Sequence, residues 1–222
     1  MTDLAKTERS RVKRLHERGR YDFESVARIL DSGFICHVGY VIDGRPYVTP
    51  TSYWREGEHV YWHGSSASRM LRSAQDETDA CLTVSLIDGL VLARSAFHHS
   101  INYSSVMLFG KAVKVEDPDH KLQALENFVE RMYPGRWAQL RPANAQELKA
   151  TTVMAMAIEE GAAKMRTGNP VDDDEDYGWP VWAGVVPLRT VAGVPADDGR
   201  VPADAPGQPA VAGLRHLGID PA

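Results

Sequence analysis

The sequence predicts a mainly β protein in which six or seven antiparallel strands close into a barrel with α-helices at its periphery. Three observations support this fold class. Short β-rich runs follow one another between residues 34 and 115, and Gly-containing turns at 43–44, 56–57 and 88–89 separate several of them, as in antiparallel hairpins. One predicted helix interrupts the strands after the third run. We predict that the strands close into a barrel, because closure removes the exposed edges of a sheet of this size.

The chain is predicted to begin with a basic helix over residues 1–20. This segment carries seven Lys or Arg and three Asp or Glu, so its net charge is +4 in a chain whose net charge is -5. A solvated helix face is favoured over a binding arm. Asp22 is then predicted to cap a short helix over FESVARIL, which ends near residues 31–33.

Six strands are predicted in the first half of the chain. Each combines β-branched and aromatic residues in a short run bounded by turn residues. A predicted helix after Gly64 separates the third strand from the fourth. The six runs are FICHVGYVI, PYVTPTSYW, HVYWH, ACLTVSLI, LVLARS and SVMLFGKAVKV.

Two helices and a final strand are predicted to follow. Pro118 suits the first turn of a helix over PDHKLQALENFVERMY, whose apolar residues form one stripe, so this helix is predicted to pack on the sheet. A shorter helix around residues 145–150 leads to TTVMAMAIEE, which is predicted to be the last strand.

The C-terminal part of the chain differs in composition from the rest. Residues 170–180 are an acidic loop, and residues 191–222 are rich in Pro, Gly, Ala and Asp, with little apolar surface to bury. We therefore predict one domain over residues 1–190, followed by a tail over residues 191–222.

Composition excludes several classes of function. With 43% hydrophobic residues the chain can bury a core, and its pI of about 5.9 argues against nucleic-acid binding, which needs a basic excess. No apolar run approaches the about 20 residues of a membrane helix, and no targeting segment is evident. Cys36 and Cys81 lack a paired spacing, so a reduced, cytoplasmic protein is expected.

The stretch YWHGSSASRMLRSAQ, residues 61–75, predicts an anion-binding site. A strand that ends in a glycine turn and opens a helix brings unpaired backbone N–H groups to the positive end of the helix dipole. Serine hydroxyls and two arginines three residues apart can add donors at this point. Helix capping by a serine, with the arginines on the surface, is the alternative. The residues concerned are Gly64, Ser65, Ser66, Ser68, Arg69 and Arg72.

A second polar group precedes the sixth predicted strand. Residues 100–105 contain three serines together with Asn102 and Tyr103, and these can reach the same anion from a neighbouring strand end. Two donor-rich turns in one barrel exceed what helix capping requires, which favours a ligand.

Other chemistry finds little support in the sequence. No nucleophile elbow, dinucleotide-binding glycine motif or P-loop is present. His98 and His99 are adjacent, so on a strand they point to opposite faces, and residues 172–176 are interpreted as solvated charge. No metal site is predicted. The histidines favoured as structural are His37, His59 and His63.

Two tryptophans occur in an otherwise polar segment. Trp179 and Trp182 bracket Pro180 just before Gly184. Large flat side chains in this setting suit stacking on an aromatic ligand, an oligomer contact or core packing, and the sequence leaves these open.

Taken together, these motifs resemble those of the pyridoxamine 5'-phosphate oxidase-related flavoproteins, a split β-barrel group that includes nitroimidazole-resistance-type reductases. The resemblance runs from about Arg9 to Arg189. Its most specific pieces are Tyr61–Ser65 with Ser68 and Arg69, Asp88–Ser95, His99–Tyr103, Ala163–Gly168 and Val181–Gly184.

The resemblance implies that FMN is held at the interface of a homodimer. Its phosphate would be bound by Ser65, Ser68 and Arg69, and Lys164, Arg166 and Trp182 would approach from the second subunit. The activity implied is that of an FMN-dependent oxidoreductase that passes hydride or electrons between a reduced nicotinamide and a small acceptor. The complete set of expected cofactor-binding residues is Thr49, Pro50, Thr51, Tyr53, His63, Gly64, Ser65, Ser66, Ser68, Arg69, Asn102, Tyr103, Ser104, Ser105, Lys164, Arg166 and Trp182.

Two alternatives remain at this stage. The same barrel can hold a flavin or haem without turnover, with His63, His98 or His99 as an axial ligand of the haem iron. The pocket can also have lost its ligand, because relatives usually carry arginine where this chain has Ser104. No catalytic acid or base is assigned, since flavin chemistry of this kind often needs none from the protein.

Overall fold

The computed structural model of the chain describes residues 3–68, 71, 77–205, 207, 214, 216–217 and 219–221. The α-helices whose bounds it describes are α1 (Phe23–Ser32), α2 (Pro118–Met132) and α3 (Ala145–Ala150). The strands are β1 (Gly19–Arg20), β2 (Ile35–Ile42), β3 (Arg45–Glu56), β4 (His59–Ser65), β5 (Glu77–Leu92), β6 (Ser100–Lys114), β7 (Thr151–Ala157), β8 (Glu160–Arg166), β9 (Gly184–Pro187), β10 (Val191–Ala192) and β11 (Asp220–Pro221).

Nine of these strands form one antiparallel sheet that closes on itself. The order is β1-β8-β6-β7-β4-β3-β2-β5-β9, and an additional pairing of β6 with β5 joins β6, β7, β4, β3, β2 and β5 into a ring. Beyond the ring, β6 continues to pair with β8 and β5 with β9. The fold is therefore a split β-barrel with peripheral helices, which confirms the predicted fold class.

The predicted turn at 88–89 is wrong. The run ACLTVSLI and the first three residues of LVLARS belong to one strand, β5, which pairs with β6 from Glu77 to Val91 and shifts register between Ile87 and Gly89. A Cβ atom at position 89 would lie 3.0 Å from the Val186 carbonyl oxygen and from Val185 Cγ1. This glycine therefore serves a β-bulge and the close approach of β9.

Two further predictions about strands need correction. Residues 100–105 do not precede a strand, because they form the first part of β6. The run after α3 is not the last strand of the barrel sheet, since β8 follows it directly. β8 lies so close to β6 that a Cβ atom on Gly161 would be 2.4 Å from the Met107 carbonyl oxygen. Small residues permit this approach but give little strand signal in the sequence.

The predicted basic helix over residues 1–20 is also wrong. Apart from a 3-10 turn over His16–Arg18, the segment from residue 3 to residue 20 is extended or turned and runs beside β8. Ala5 bridges to Glu160, and the Arg9 guanidinium forms an ion pair with the Glu160 carboxylate at 2.5 Å. Arg9 thus takes part in a tertiary contact, and the basic residues do not lie on one helix face.

The other described helices confirm their predictions. Asp22 accepts a hydrogen bond from Ser25 N at 2.8 Å and caps α1, and Pro118 occupies the first turn of α2. Asn144 and Glu147 form a capping box on α3. The predicted helix after Gly64 lies largely outside the described residues.

Apolar side chains form two clusters. The larger fills the barrel and includes Val38, Tyr53, Trp62, Leu82 and Leu108, all at most 1% exposed. The smaller lies between the barrel wall and α2. It contains Trp54, Tyr61, Val115, Ala124, Val153 and Ala155.

Arg131 of α2 joins the helices to the barrel. Its guanidinium donates to the carbonyl oxygens of Leu30, Asp31 and Gly33 at 2.9, 3.1 and 2.6 Å. Tyr53 Oη donates to the same Leu30 oxygen at 2.6 Å. These bonds satisfy the C-terminal carbonyls of α1, which lack partners within the helix.

Part of the predicted tail packs against the domain. Leu217 is 4% exposed and belongs to the buried set, and His216 Nε2 lies 2.7 Å from the Arg131 carbonyl oxygen. The domain boundary at residues 190–191 stays a prediction. None of the helices in the described part of the chain combines the length and apolar character that crossing a bilayer requires.

Candidate functional site

The structure separates the expected cofactor-binding residues into two groups. One lies on β3 and β4: Thr49, Pro50, Thr51, Tyr53, His63, Gly64 and Ser65, with Ser66 and Ser68 just beyond. The other lies on β6 and β8: Asn102, Tyr103, Ser104, Ser105, Lys164 and Arg166. Trp182 precedes β9, and Arg69 and Arg72 lie outside the described residues.

The turn after β4 brings the predicted serines together, but the backbone N–H groups described there already have acceptors within the protein. Ser66 N donates to the Ala150 carbonyl oxygen, and Ser68 N donates to the Ser65 carbonyl oxygen, both at 2.8 Å. The Ser68 hydroxyl accepts from Leu71 N at 3.3 Å, which is the spacing of a helix N-cap. A hydroxyl that accepts a bond retains its own proton for an anion, so capping and anion binding are compatible here.

On β3, the side chains of Thr49, Thr51 and Tyr53 differ in their hydrogen bonds and in their burial. Thr49 Oγ1 lies 2.9 Å from Tyr40 Oη, and Thr51 Oγ1 makes only long bonds of 3.4 Å to carbonyl oxygens. Tyr53 is fully buried in the barrel core and is bonded to the end of α1. Its side chain has a structural role. Thr49 and Thr51 alternate with Pro50, so the half-buried threonines lie on the same face of β3 as Tyr53 and the exposed Pro50 lies on the other.

His63 is unusual among the candidate histidines. Its ring packs against Phe128 and Trp54, at centroid distances of 4.6 and 5.8 Å, and its buried Nδ1 has no hydrogen-bond partner among the described residues. Burial lowers its pKa, which favours the neutral imidazole. Buried ring nitrogens are normally bonded, so this unpartnered Nδ1 is an exception among the described residues.

The adjacent histidines make other contacts. His98 Nε2 lies 3.3 Å from Asp173 Oδ2, and His99 Nδ1 lies 2.8 Å from the Ser95 carbonyl oxygen. In the described part of the chain, no group of three His, Cys, Asp or Glu residues could hold a metal ion.

On β6 and β8, Asn102 and Arg166 bond to each other and to the chain that follows β8. Arg166 is 8% exposed and donates to Asn102 Oδ1 and to the carbonyl oxygens of Gly168 and Asn169, the last two at 3.2 and 3.3 Å. Asn102 Nδ2 donates to the same Gly168 oxygen at 3.1 Å. These side chains fix the turn after β8, so their polar atoms are largely unavailable to a cofactor.

Ser104, Ser105 and Lys164 are more accessible. Ser105 Oγ donates to the Lys164 carbonyl oxygen at 3.2 Å. Ser104 Oγ donates to Asp88 Oδ2 at 3.1 Å, so its surroundings include an acidic group. This contact follows from the bulge in β5, which the sequence did not reveal.

A cleft of about 820 Å³ opens beside Ser104 and Asp88. This volume lies in the range of cofactor and substrate sites. Apolar walls come from Phe34, Ile35, Leu86 and Ile87, and positive charge comes from Arg28 and Arg189.

The acidic loop is anchored and not merely solvated. Asp172 has no exposed side-chain surface and accepts from Arg94 N at 2.8 Å, from Arg94 Nη1 at 3.0 Å and from Ser95 N at 3.4 Å. Burial raises the pKa of Asp172, but the hydrogen bonds from Arg94 more than offset this, and the pKa lies below its ordinary value. The interpretation of this residue as solvated charge is therefore wrong.

The outer face of β6, β5 and β9 is apolar. Ile101 pairs with Leu90, which pairs with Val186, and all three are at least 40% exposed. Trp182 is 63% exposed and its ring lies over Gly184, where an added Cβ would come within 2.8 Å of it. An exposed apolar row of this kind is typical of an interface.

The match of a family model covers residues 22–165, and the model describes pyridoxamine 5'-phosphate oxidase. Among curated proteins, none is similar to this chain at a significant level.

Two solved structures are similar over nearly the whole chain. The flavocytochrome Anf3 from Azotobacter vinelandii is 48% identical, with 91% of this chain and 94% of that chain covered and a TM-score of 0.86. The FAD and heme binding protein from Mycobacterium smegmatis is 36% identical, with 89% and 97% covered and a TM-score of 0.83.

Proposed function

The chain belongs to the pyridoxamine 5'-phosphate oxidase family, and from this premise we propose that it binds a flavin nucleotide and acts as an oxidoreductase. The observation that carries the proposal is the similarity of almost the entire chain to a flavocytochrome. A bound flavin supplies hydride and electron transfer, and the protein supplies binding and orientation. We propose a reduced nicotinamide as the donor and a small molecule as the acceptor.

The turn after β4 is the proposed binding site of the flavin phosphate. The hydroxyls of Ser65 and Ser68 accept from Ala67 N and Leu71 N and keep their own protons to donate to a phosphate, and Arg69 would add a charge-assisted bond. FMN is the coenzyme that the sequence predicts, and FAD is the rival because one similar protein binds it. FMN and FAD both carry a phosphate next to the ribityl chain, so the same phosphate-binding site can accept either coenzyme.

We also propose haem as a second prosthetic group. One similar protein is a flavocytochrome and the other binds heme. Among the histidines that the structure describes, we propose His63 for the axial position, because its buried Nδ1 is unpartnered and its neighbours are aromatic. With both groups bound, the protein would pass electrons between a two-electron donor and a one-electron centre.

The proposed assembly is a homodimer in the cytoplasm. The exposed row of Ile101, Leu90 and Val186, together with Trp182, supports a contact between two copies. Both cysteines are free thiols in the structure, which agrees with a reducing compartment.

The test of the proposal is the spectrum of freshly purified protein. We expect flavin absorption that bleaches under anaerobic addition of NADH or NADPH, and a Soret band from haem. Chromatography of the flavin released by denaturation separates FMN from FAD. Protein that is colourless and takes up neither FMN, FAD nor hemin on reconstitution would refute the proposed function.

A further inference from the structure

The cavity of about 820 Å³ that opens beside Ser104 is lined by parts of the chain that are far apart in the sequence. α1 and the chain that leads into β2 contribute part of the lining. Residues 85–88 of β5 and residues 188–190 after β9 contribute another part, and Leu217 and Ile219 come from the C-terminal segment. We name this cavity the α1–β5 cleft.

Backbone hydrogen bonding holds the parts of the cleft together. Leu188 N donates to the Asp88 carbonyl oxygen at 3.1 Å, which ties the residues after β9 to β5. β10 pairs in parallel with β11, and this pairing brings the C-terminal segment back to the residues that follow β9. Leu217 is buried there, at 4% exposed. The cleft is therefore formed in the protein before any ligand enters it, as small-molecule sites usually are.

Large apolar side chains in the lining are left exposed. Ile35 is 53% exposed, Ile87 is 58% exposed and Leu188 is 40% exposed, although all three line a concave surface. Apolar side chains gathered in a cleft, and not scattered singly over the surface, are typical of a site for an apolar molecule.

The lining also carries an excess of positive charge. Arg28 and Arg189 are exposed, and the described ion pairs and side-chain hydrogen bonds leave both guanidinium groups without a partner. Glu24 lies one turn before Arg28 on α1, but no ion pair joins the two among the described residues. The opposing charge in the lining is the Asp88 carboxylate, which accepts from Ser104 Oγ. Two guanidinium groups against one carboxylate favour an anionic ligand.

The cleft is distinct from the sites already proposed. Among the expected cofactor-binding residues that the structure describes, Ser104 is the one that also lines the cleft, and the serines of the turn after β4 do not. The exposed row of Ile101, Leu90 and Val186 does not line it either. A ligand of the cleft is therefore separate from the flavin phosphate and from the proposed contact between two copies.

We infer that the α1–β5 cleft binds an apolar molecule that carries one carboxylate or similar anionic group. The apolar walls contact the body of the ligand, and Arg28 and Arg189 donate charge-assisted hydrogen bonds to its anionic group. A neutral molecule of the same shape lacks these bonds, and a small anion such as acetate lacks the apolar contacts. Selective binding therefore requires both features in one molecule.

The experiment is calorimetric titration of 2-naphthoate, and of its neutral counterpart 2-naphthamide, into the freshly purified full-length protein. Naphthoate is expected to bind roughly tenfold more tightly than naphthamide, the typical effect of a charge-assisted contact. Arg28→Gln and Arg189→Gln should each weaken naphthoate binding, and the double variant should bind the two ligands equally. Arg45→Gln is the matched control, because this exposed arginine of β3 does not line the cleft.

A second pair of variants tests the apolar walls. Ile87→Ser should weaken both naphthoate and naphthamide several-fold, because it removes apolar contact that the two ligands share. Val41→Ser is the control, since Val41 is 62% exposed but does not line the cleft. Melting temperatures establish that every variant is folded.

The same titrations include the outcomes that would overturn the inference. Wild-type protein that does not bind naphthoate, or a double arginine variant that keeps the preference for naphthoate, would do so. Binding that is lost when the protein is saturated with FMN or FAD would assign the cleft to the flavin and would also overturn it. Colourless protein that binds naphthoate through Arg28 and Arg189 would instead refute the proposed function and leave this inference intact.

Discussion

Ser104 stands where the family resemblance implies an arginine in relatives, and its contact with Asp88 determines what an arginine there would do. A guanidinium at position 104 would meet the Asp88 carboxylate, which now accepts from the serine hydroxyl at 3.1 Å. The ion pair would consume the added charge. An arginine at position 104 can therefore bind a cofactor phosphate only if the Asp88 carboxylate is also removed.

We predict that Ser104→Arg alone leaves flavin affinity nearly unchanged, whereas Ser104→Arg with Asp88→Asn tightens it roughly tenfold, the worth of one charge-assisted contact. Fluorescence titration of the apoprotein with FMN and FAD measures both. Asp88→Asn alone is the control. Equal affinities in all four proteins would place position 104 away from the cofactor.

His63 provides a second prediction at the residue scale. His63→Ala should abolish the Soret band, because the free imidazole nitrogen is removed, while the flavin absorption persists. His59→Ala, a change on the same strand at an exposed residue, should leave both bands. Absorption spectra and haem content relative to protein give the result. Full haem content in His63→Ala would exclude this residue as the ligand.

Asp172 predicts a pH dependence of stability. Its pKa is lower in the folded than in the unfolded protein, so its stabilising contribution is present above the ordinary carboxyl pKa of about 4 and is lost as pH falls through the folded value. Asp172→Asn should lower the melting temperature at pH 7, and the difference from wild type should shrink towards pH 3. Thermal melts across this range test it. A constant difference would show that ionisation of Asp172 is not involved.

The candidate residues differ in how far the sequence reveals them. The serines after Gly64 are recognisable because a turn and its capping groups are local in sequence. The bond between Arg166 and Asn102 joins residues 64 positions apart, and the environment of His63 depends on Phe128 from another element. No local pattern encodes such pairings, so the structural role of Arg166 could not be predicted.

Helices and strands also divide into those that local sequence specifies and those that depend on distant residues. α1, α2, α3 and β2 to β4 were predictable because periodicity, caps and turns specify them locally. The Asp88-Gly89 pair was misleading, since the same dipeptide suits a hairpin turn and a β-bulge. The path of residues 3–20 depends on the Arg9–Glu160 pair, whose partners are 151 positions apart, and it therefore escaped prediction.

The bulge itself can be tested. Gly89→Ala should destabilise the protein by about 1–3 kcal/mol, because the added methyl group is crowded against the backbone and side chains of β9. Urea denaturation measures the loss. Gly178→Ala is the matched control, since a Cβ there has no neighbour within 4 Å. Equal unfolding free energies for the two variants would contradict the close approach.

At the scale of the whole molecule, closure of the barrel was predictable from the number of strands and the need to remove edges. The order of strands in the sheet was not, because long pairings such as β6 with β8 are set by tertiary packing. The apolar row on β6, β5 and β9 likewise emerges only when the three strands are side by side.

That row predicts the assembly. Leu90→Glu should convert a homodimer into monomers, because a charge would replace an apolar side chain at the centre of the row. Sedimentation velocity measures the change. Val194→Glu, at a residue that is 92% exposed beyond β9, should leave the dimer intact. A monomeric wild type, or a dimeric Leu90→Glu, would contradict the proposed interface.

The sheet ends on one side at β1, with two residues, and on the other at β9, with four. A border this short gives a strand from another molecule little to extend. Residues 45–52 of β3 differ, because they pair with β2 on one side while β4 pairs with β3 only over residues 53–56. Addition of a strand from another chain is therefore expected along this part of β3 and not at the two ends of the sheet.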